Sequence, residues 1–464
     1  MPTIDYFLTV PVELTKKDLE YKSKVPLLVP DLDLGKDNRT WNKKQLEALK
    51  LLLCNCVKHG HRDDGVFFYS RDKNFKVPVQ FNPNRISNTS LITVIEALTK
   101  SKLLESFKAP ARMKGVPKQN LTSTFTCTPQ IIFFAESLGI TKESMQEEGV
   151  RYHVRLRTLK PNDDLLEYKP TAYSAHIEQI SQWYNHQLNE LDIMVGEQWS
   201  EADARHGAFK HFGEKIGGDR IHLYRNYRQW SQHKDFKLIE DALFLEDNPD
   251  FLFGGRTGGY WQSTSKEDRP TLHINGNKTV YIDIPCCHLN LIYLFETGNW
   301  LQTETYDELK AEDREKDDAY RILDIDRDIV KHTVMLMLNM KASGAVTRGV
   351  NQWLAEEGLF SPIPPKEIQE RLLEKHHRVK DYFYKGVLAG QIYQWLEANF
   401  VNYLAYTFTK TYDVPTLSVY DAFLVEEEHE AMVKEFMYTT AIPELYDRIS
   451  LMPHIKRFYY KKKK

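Results

Sequence analysis

Cysteine is scarce in this chain and badly spaced for cross-linking. Five residues, Cys54, Cys56, Cys127, Cys286 and Cys287, stand in 464. Adjacent side chains such as Cys286 and Cys287 seldom reach disulfide geometry, and no pair has the Cys-x-x-Cys spacing of a zinc site. Buried free thiols in a reducing compartment are therefore expected. A long apolar run is missing too. The most hydrophobic helical stretch, His332 to Asn339, is far too short to cross a bilayer, and the first residues lack a basic segment followed by an apolar core. Neither a membrane span nor a secretory leader is expected. Nor does one sign of charge dominate: the formal net charge of -3 excludes a uniformly basic nucleic-acid coat and leaves room only for a local patch. Internal repeats and long low-complexity segments are absent. What remains is the composition of a cytoplasmic globular protein, long enough for two or three domains.

Residues 1–40, rich in Pro, Asp and Lys, read as an irregular lead-in. Helical spacing then runs from Trp41 to Cys56 through Leu46, Leu49, Leu52 and Leu53. A second helix follows the cap-rich Arg85–Ser90, with Leu91, Ile92, Val94, Ile95 and Leu98 on its apolar face. A Lys/Pro/Gly-rich stretch leads to Thr-rich, strand-like residues from Leu121 to Thr128. Ten basic residues against three acidic ones lie between Arg71 and Lys118, a local excess able to hold phosphates without reading sequence. Helix, basic helix and two strands around a basic loop resemble a winged-helix DNA-binding domain over 41–140, with Arg85, Lys100, Lys102 and Lys114 as candidate phosphate contacts. A solvated basic face without a partner is the alternative.

From Ala175 to Met194 the positions Ile177, Ile180, Trp183, Tyr184, Leu188, Leu191 and Ile193 predict one amphipathic helix, and the stretch on to Asn248 reads as mostly helical. Strands around Thr271–Ile274 and Thr279–Ile282 flank the hairpin signal Asn275-Gly276-Asn277. Residues 304–318 are strongly acidic and read as a solvated helix or loop. Helices, a strand-like stretch from Thr416 to Val425, further helices and a Lys-rich tail complete the chain.

Four features carry chemistry. The apolar strand Thr279-Val-Tyr-Ile ends in Asp283, and helical spacing restarts at His288, so this carboxylate projects from a strand end. Asp421 sits within the apolar Pro415–Val425, a costly place for an acid unless it occupies a tight turn or holds a metal. A hairpin bent at Tyr420-Asp421 sets the two carboxylates side by side, the minimum cage for two magnesium (or manganese) ions. Arg327 and Lys331 are one turn apart on a helix continuing through Met335 to Asn339, a pattern suited to clamping a triphosphate. Gly254-Gly255-Arg256, then Gln262 and Arg269, read as a turn allowing close backbone approach, with side chains suited to a nucleic-acid backbone or minor groove.

The order Gly-Arg, Gln, Arg, strand-Asp-helix, Arg-x-x-x-Lys, apolar-Asp-apolar resembles the palm and fingers of family A DNA polymerases and single-subunit phage RNA polymerases, over roughly 254–425. More loosely, the chain resembles phage and mobile-element proteins with the same motif order. The resemblance implies an α+β right-hand architecture: a helical thumb-like region over 141–250, then a palm over 251–464 with fingers inserted at about 299–385. It implies Asp283 and Asp421 as catalytic metal ligands, and Arg327, Lys331, Met335, Asn339 and His288 around a nucleoside triphosphate. Arg256, Gln262 and Arg269 would lie along nucleic acid, DNA or RNA. The chain departs from the family pattern at Tyr420 and Ala422, which flank Asp421 where His and an acid or Ser are usual, and at Met335 and Asn339, where aromatics are usual. His288 takes the place of the residue that often gates sugar choice. The implied function is a nucleic-acid polymerase. The alternatives are a non-catalytic DNA-binding replication or regulatory protein, and a template-independent nucleotidyltransferase or primase.

Overall fold

The computed structural model describes residues 8–9, 42–59, 66–71, 76–108, 123–141, 143–147, 152–159, 163–191, 193–195, 223–234, 236, 249–259, 261–263, 269–305, 307–310, 313 and 317–450. Within them the chain forms two compact units, one ending at Tyr152 and the next beginning at His153. Lys114 lies outside the described residues.

In the first unit, β1 (Leu8–Thr9) pairs antiparallel with β5 (Gln146–Glu147). The rest is α1 (Lys43–His59), β2 (Val66–Tyr69), α2 (Asn88–Lys100), β3 (Leu104–Phe107), β4 (Ser123–Cys127) and α3 (Pro129–Ser137). The three longer strands form an antiparallel sheet in the order β2-β4-β3. Helix α1 turns Leu49, Leu52, Leu53 and Cys56 into the core, as their spacing requires. Helix α2 begins where the Ser87 side chain accepts from the Ser90 N–H, and it buries Leu91, Ile92, Val94, Ile95 and Leu98. Its exposed stripe is Thr89, Thr93, Glu96 and Lys100, one acid and one base, so the helix itself is not basic as expected. Glu96 lies 3.6 Å from both Arg71 and Lys108 and offsets their charge. Arg85 is exposed before α2, while Lys100 and Lys102 are exposed at its far end, about 20 Å away along the axis.

The second unit holds two sheets. Antiparallel β13-β14-β12-β11-β8 comprises β8 (Ile193–Val195), β11 (Leu272–Ile274), β12 (Asn277–Asp283), β13 (Leu417–Val419) and β14 (Ala422–Glu426). The other, β10-β9-β6-β7, comprises β6 (Val154–Arg157), β7 (Leu165–Leu166), β9 (Tyr224–Arg228) and β10 (Gly254–Gly258), with β6 and β9 parallel. The β11–β12 hairpin turns at Asn275-Gly276, as predicted. Helix α4 (Ala172–Glu190) starts with a capping box between Thr171 and Ser174.

Two differences from the sequence reading stand out here. Ile193 and Met194 belong to β8 rather than to the helix, because pairing with Ile274 and His273 claims their backbone groups. Downstream, the described residues up to 236 contain β9 and a short 3-10 turn, Trp230–Gln232, but no α-helix. In β9, buried Arg225 and Tyr227 alternate with half-buried Tyr224, Asn226 and Arg228, a period of two hidden by unusual core residues. Strand pairing also crosses the boundary expected near residue 250, since β8 pairs with β11 and β9 with β10.

Helix α5 (Cys287–Thr297) follows β12. Then come α6 (Arg327–Asn339), α7 (Ser343–Glu357), α8 (Pro365–Lys375) and the 25-residue α9 (Val387–Thr411). Helices α10 (Glu430–Phe436) and α11 (Ile442–Ser450) close the described chain. Helix α9 is the spine of this core. It buries Leu388, Ile392, Tyr393, Leu396, Phe400, Val401, Leu404 and Phe408, and each such apolar side chain contributes roughly 1.5–3 kcal/mol. No helix among the described residues is long and apolar enough to cross a membrane.

Gly254 and Gly255, read from the sequence as a turn, lie within β10, at φ of 83° and 81°, where the β10–β9 register shifts. A Cβ on Gly255 would stand 2.9 Å from the ring of fully buried Tyr227. The close approach those glycines permit is thus to the protein's own core. Gly255→Ala is expected to lower stability by about 1–3 kcal/mol through this clash and the left-handed backbone, read as a shift of the urea midpoint at unchanged slope.

Candidate active site

The site forms where β12, β14, α5, β10 and α9 meet. In the β12–β14 ladder Asp283 is opposite Ala422, and the Ile284 N–H donates to the Asp421 carbonyl at 3.0 Å. Between β13 and β14 the chain turns at Tyr420-Asp421, with Tyr420 at φ 52°. The two predicted acids therefore occupy neighbouring strands at the same end of the sheet. Burial pushes the Tyr281 phenol up to about 12, and the charges of Asp283 and Asp421 push it the same way. Burial also raises Asp421, helped by the charge of Glu397 and opposed by Arg256.

The strand-to-helix junction is pinned from below. Fully buried Asn290 donates to the Pro285 and Gln302 carbonyls and accepts from the N–H groups of Leu301 and Gln302. That side chain holds the turn before α5, so the end of β12 keeps its direction. Asp283 lines a cleft of about 510 Å³ with Glu304, Glu308, Lys434 and Tyr438. Lys434 pairs with Glu308 at 2.6 Å and with Glu430 at 2.8 Å.

Glu397 is a buried acid at this place that the sequence did not single out. It lies in mid-α9, with its side chain 1% exposed. Arg256 grips it in a fork, Nε to Oε1 at 2.5 Å and Nη2 to Oε2 at 2.6 Å. His288 Nε2 stands 2.9 Å from Oε2, an ion-pair distance, although neither ring nitrogen has a well-directed hydrogen bond. Burial works to raise the Glu397 carboxyl, but the His288 imidazole and the Arg256 guanidinium outweigh it and hold the group at about 2. The available signal was that Glu397 is the only charged residue from Val387 to Thr409.

Tyr420 organises the cations above the turn. The guanidinium groups of Arg256 and Arg269 stand 5.5 and 5.8 Å from its ring centre, and its hydroxyl donates to the Gln262 carbonyl. Gln262 itself is buried, and its Nε2 donates to the Ser418 carbonyl at 2.8 Å, beside the Trp261 indole. It braces the β13–β14 turn from inside, rather than offering its amide to a nucleic-acid surface as expected.

Arg327, Lys331, Met335 and Asn339 follow one another along a face of α6 that is half-buried to exposed, as their spacing predicts. Arg327 is already engaged. Its Nε and Nη2 donate to Asp318 at 2.9 and 3.2 Å, and Asp318 is fully buried rather than part of a solvated acidic stretch. Lys375 donates to the Asp318 and Arg321 carbonyls, and a His376 ring nitrogen lies 3.0 Å from the Ala319 carbonyl, so this loop is clamped. Burial pushes the Cys286 thiol far up, Asp318 and Asp283 add to the rise, and Arg327 opposes it. Asn339 donates to the Met335 carbonyl and packs so closely on α9 that a Cβ on Gly390 would stand 1.9 Å from its Oδ1.

The donor set of Asp283 and Asp421 fits hydrated magnesium, which commonly takes one or two carboxylates and fills its shell with water and substrate phosphates. Asp421 adds a reason: its buried charge is opposed by Glu397 and would be relieved by a cation. Glu426, Glu428 and His429 bring ligand atoms within 4.8 Å of one another, but at the opposite end of β14 from Asp421. No family model matches this chain, and no curated protein and no solved structure matches it.

Glu397→Gln leaves Arg256 without its counter-charge, and a loss of about 3 kcal/mol is expected at neutral pH. Because the folded carboxyl is depressed, its contribution is present above the ordinary glutamate range and lost as pH falls towards 2. The stability gap between parent and variant, followed by urea unfolding at decreasing pH, should close. A constant gap would assign the loss to packing instead.

Proposed function

We propose that the second unit is the palm of a nucleotidyltransferase that extends a nucleic-acid strand by attack of a 3′-hydroxyl on the α-phosphate of a nucleoside triphosphate. One observation carries the reading: two carboxylate residues, Asp283 and Asp421, stand on neighbouring strands at one sheet end, with Arg256 and Arg269 beside the turn between β13 and β14. In this reading Asp283 and Asp421 hold two magnesium ions, which supply Lewis-acid activation of the hydroxyl and charge relief for the departing pyrophosphate. Lys331, exposed on α6, reaches the triphosphate, and Arg327 contributes positive charge in an orientation fixed by Asp318. Arg256 and Arg269, stacked about Tyr420, line the path of the primer strand. His288 faces the sugar, its ring steadied by Glu397. In the first unit, the order helix–strand–helix–strand–strand with sheet order β2-β4-β3 supports a winged-helix-like reading. Arg85, Lys100 and Lys102 are then peripheral phosphate contacts.

A second reading is favoured by a separate observation. Arg256 and Arg327, which would serve strand and triphosphate, are each spent on a buried carboxylate, Glu397 and Asp318. A protein that binds DNA without turnover has no need of open cations at this place.

Extension of a labelled primer–template with magnesium, offering deoxy- and ribonucleotides separately, distinguishes the two. The parent should extend, and Asp283→Ala and Asp421→Ala should each fall at least about 10²-fold. Absence of extension by the parent on primed, unprimed and single-stranded substrates, with equal DNA binding by all three proteins, would leave the non-catalytic reading standing.

A further inference from the structure

The first unit brings two of the five cysteines together. Cys56 lies in the last turn of α1, on the face that Leu49, Leu52 and Leu53 turn into the core. Cys127 ends β4, the central strand of the β2-β4-β3 sheet. Side chains two apart along a strand share a face. Cys127 therefore follows Phe125, which is fully buried and stacks on Phe67 with ring centres 4.9 Å apart. Helix and strand thus turn both thiols into one core. Although the two residues are 71 apart in sequence, their Sγ atoms stand 2.8 Å from each other, with Cys127 donating to Cys56. A disulfide needs about 2.05 Å, so the bond asks for an approach of less than about 1 Å within an existing contact. The other three thiols are not set up this way. Cys54 is two residues from Cys56, roughly 200° around the helix. Cys286 and Cys287 are adjacent, a spacing that seldom reaches disulfide geometry.

We propose that Cys56 and Cys127 are a redox pair, converted by a glutathione-class disulfide into a cross-link that staples α1 to β4. Exposure sets the order of events. Cys56 is fully buried and Cys127 half-buried. Burial also pushes the Cys56 thiol far up, with Cys127 adding to the rise. Cys127 therefore meets the oxidant first. Its thiolate attacks one sulfur of oxidised glutathione, the S–S bond breaks, and one glutathione leaves as a thiolate. Cys56, giving up its proton, then attacks Cys127 Sγ and expels the second glutathione. Two protein thiols are oxidised by two electrons, one glutathione disulfide is reduced, and the two protons end on the two glutathione thiols. The cross-link closes β2, α2 and β3 into one loop. Long loops are where a cross-link most restricts the unfolded chain, so the oxidised first unit is the more stable form. The inference does not depend on the reading of the second unit.

The test starts from the fully reduced chain, incubated with oxidised glutathione and then denatured for thiol counting. The five thiols should fall by two, and digestion without reductant should yield a peptide pair joined through Cys56 and Cys127. Hydrogen exchange read by mass spectrometry reports on the first unit by itself. Peptides of α1 and β4 should exchange at least about tenfold more slowly after oxidation, and dithiothreitol should reverse the change. Cys127→Ser should keep all its remaining thiols and exchange alike before and after treatment. Mapping of the parent's cross-link needs no variant and decides the matter even where Cys127→Ser fails to fold. Retention of all five thiols, glutathione left on Cys127 with Cys56 free, or a bond through Cys54 instead would overturn the proposal. So would equal thiol loss in Cys127→Ser, or unchanged exchange in the cross-linked parent.

Discussion

A carboxylate buried in the middle of the longest helix sets the terms for the rest of the second unit. Glu397 brings together α9, β10 and α5 by holding Arg256 and His288 at once. Taking an ion out of water costs several kcal/mol unless its partners are well placed; here the bidentate fork of Arg256 and the His288 imidazole meet that requirement, and the carboxyl stays ionised. The same charge bears on Asp421, whose carboxyl it pushes up. What anchors the spine helix thus also bears on the acid at the β13–β14 turn.

A second buried acid repeats the device near the start of α6. Asp318 fixes Arg327 as Glu397 fixes Arg256, and its loop is fastened by Lys375 and His376 to the end of α8. Arg256 and Arg327 are thus each oriented by a carboxylate placed behind them. This arrangement sets both guanidinium planes in advance. It also explains how the site keeps fixed positive charge with aliphatic and aromatic side chains packed around it.

Local signals made much of the framework legible. The hairpin at Asn275-Gly276, the strand ending in Asp283, the bend at Tyr420-Asp421 and the Arg327 helix rest on periodicity and turn chemistry, which act over a few residues. What stayed hidden depends on distant partners. Glu397 is interspersed with Gln391, Gln394, Asn399 and Asn402, which together look like a wetted stripe, and only the approach of β10 makes that side of α9 interior. Asp318 sits in an acidic stretch whose composition suggested solvent, but Arg327 nine residues later buries it. In β9, Arg225 occupies a core position because the Gly255 carbonyl and Asn399 accept its protons, which no hydrophobic pattern can announce. Gln262 resembled a surface amide for the same reason: its partner, the Ser418 carbonyl, lies 156 residues away.

The exchange of strands between early and late parts of this unit has a consequence for its integrity. β8, near residue 194, closes the edge of the sheet that bears both acids, while β10, near residue 256, completes the sheet begun by β6. Neither sheet is assembled from one continuous stretch of chain, so neither survives the loss of the other's segment. Such threading makes one cooperative foldon of what motif order would divide into modules.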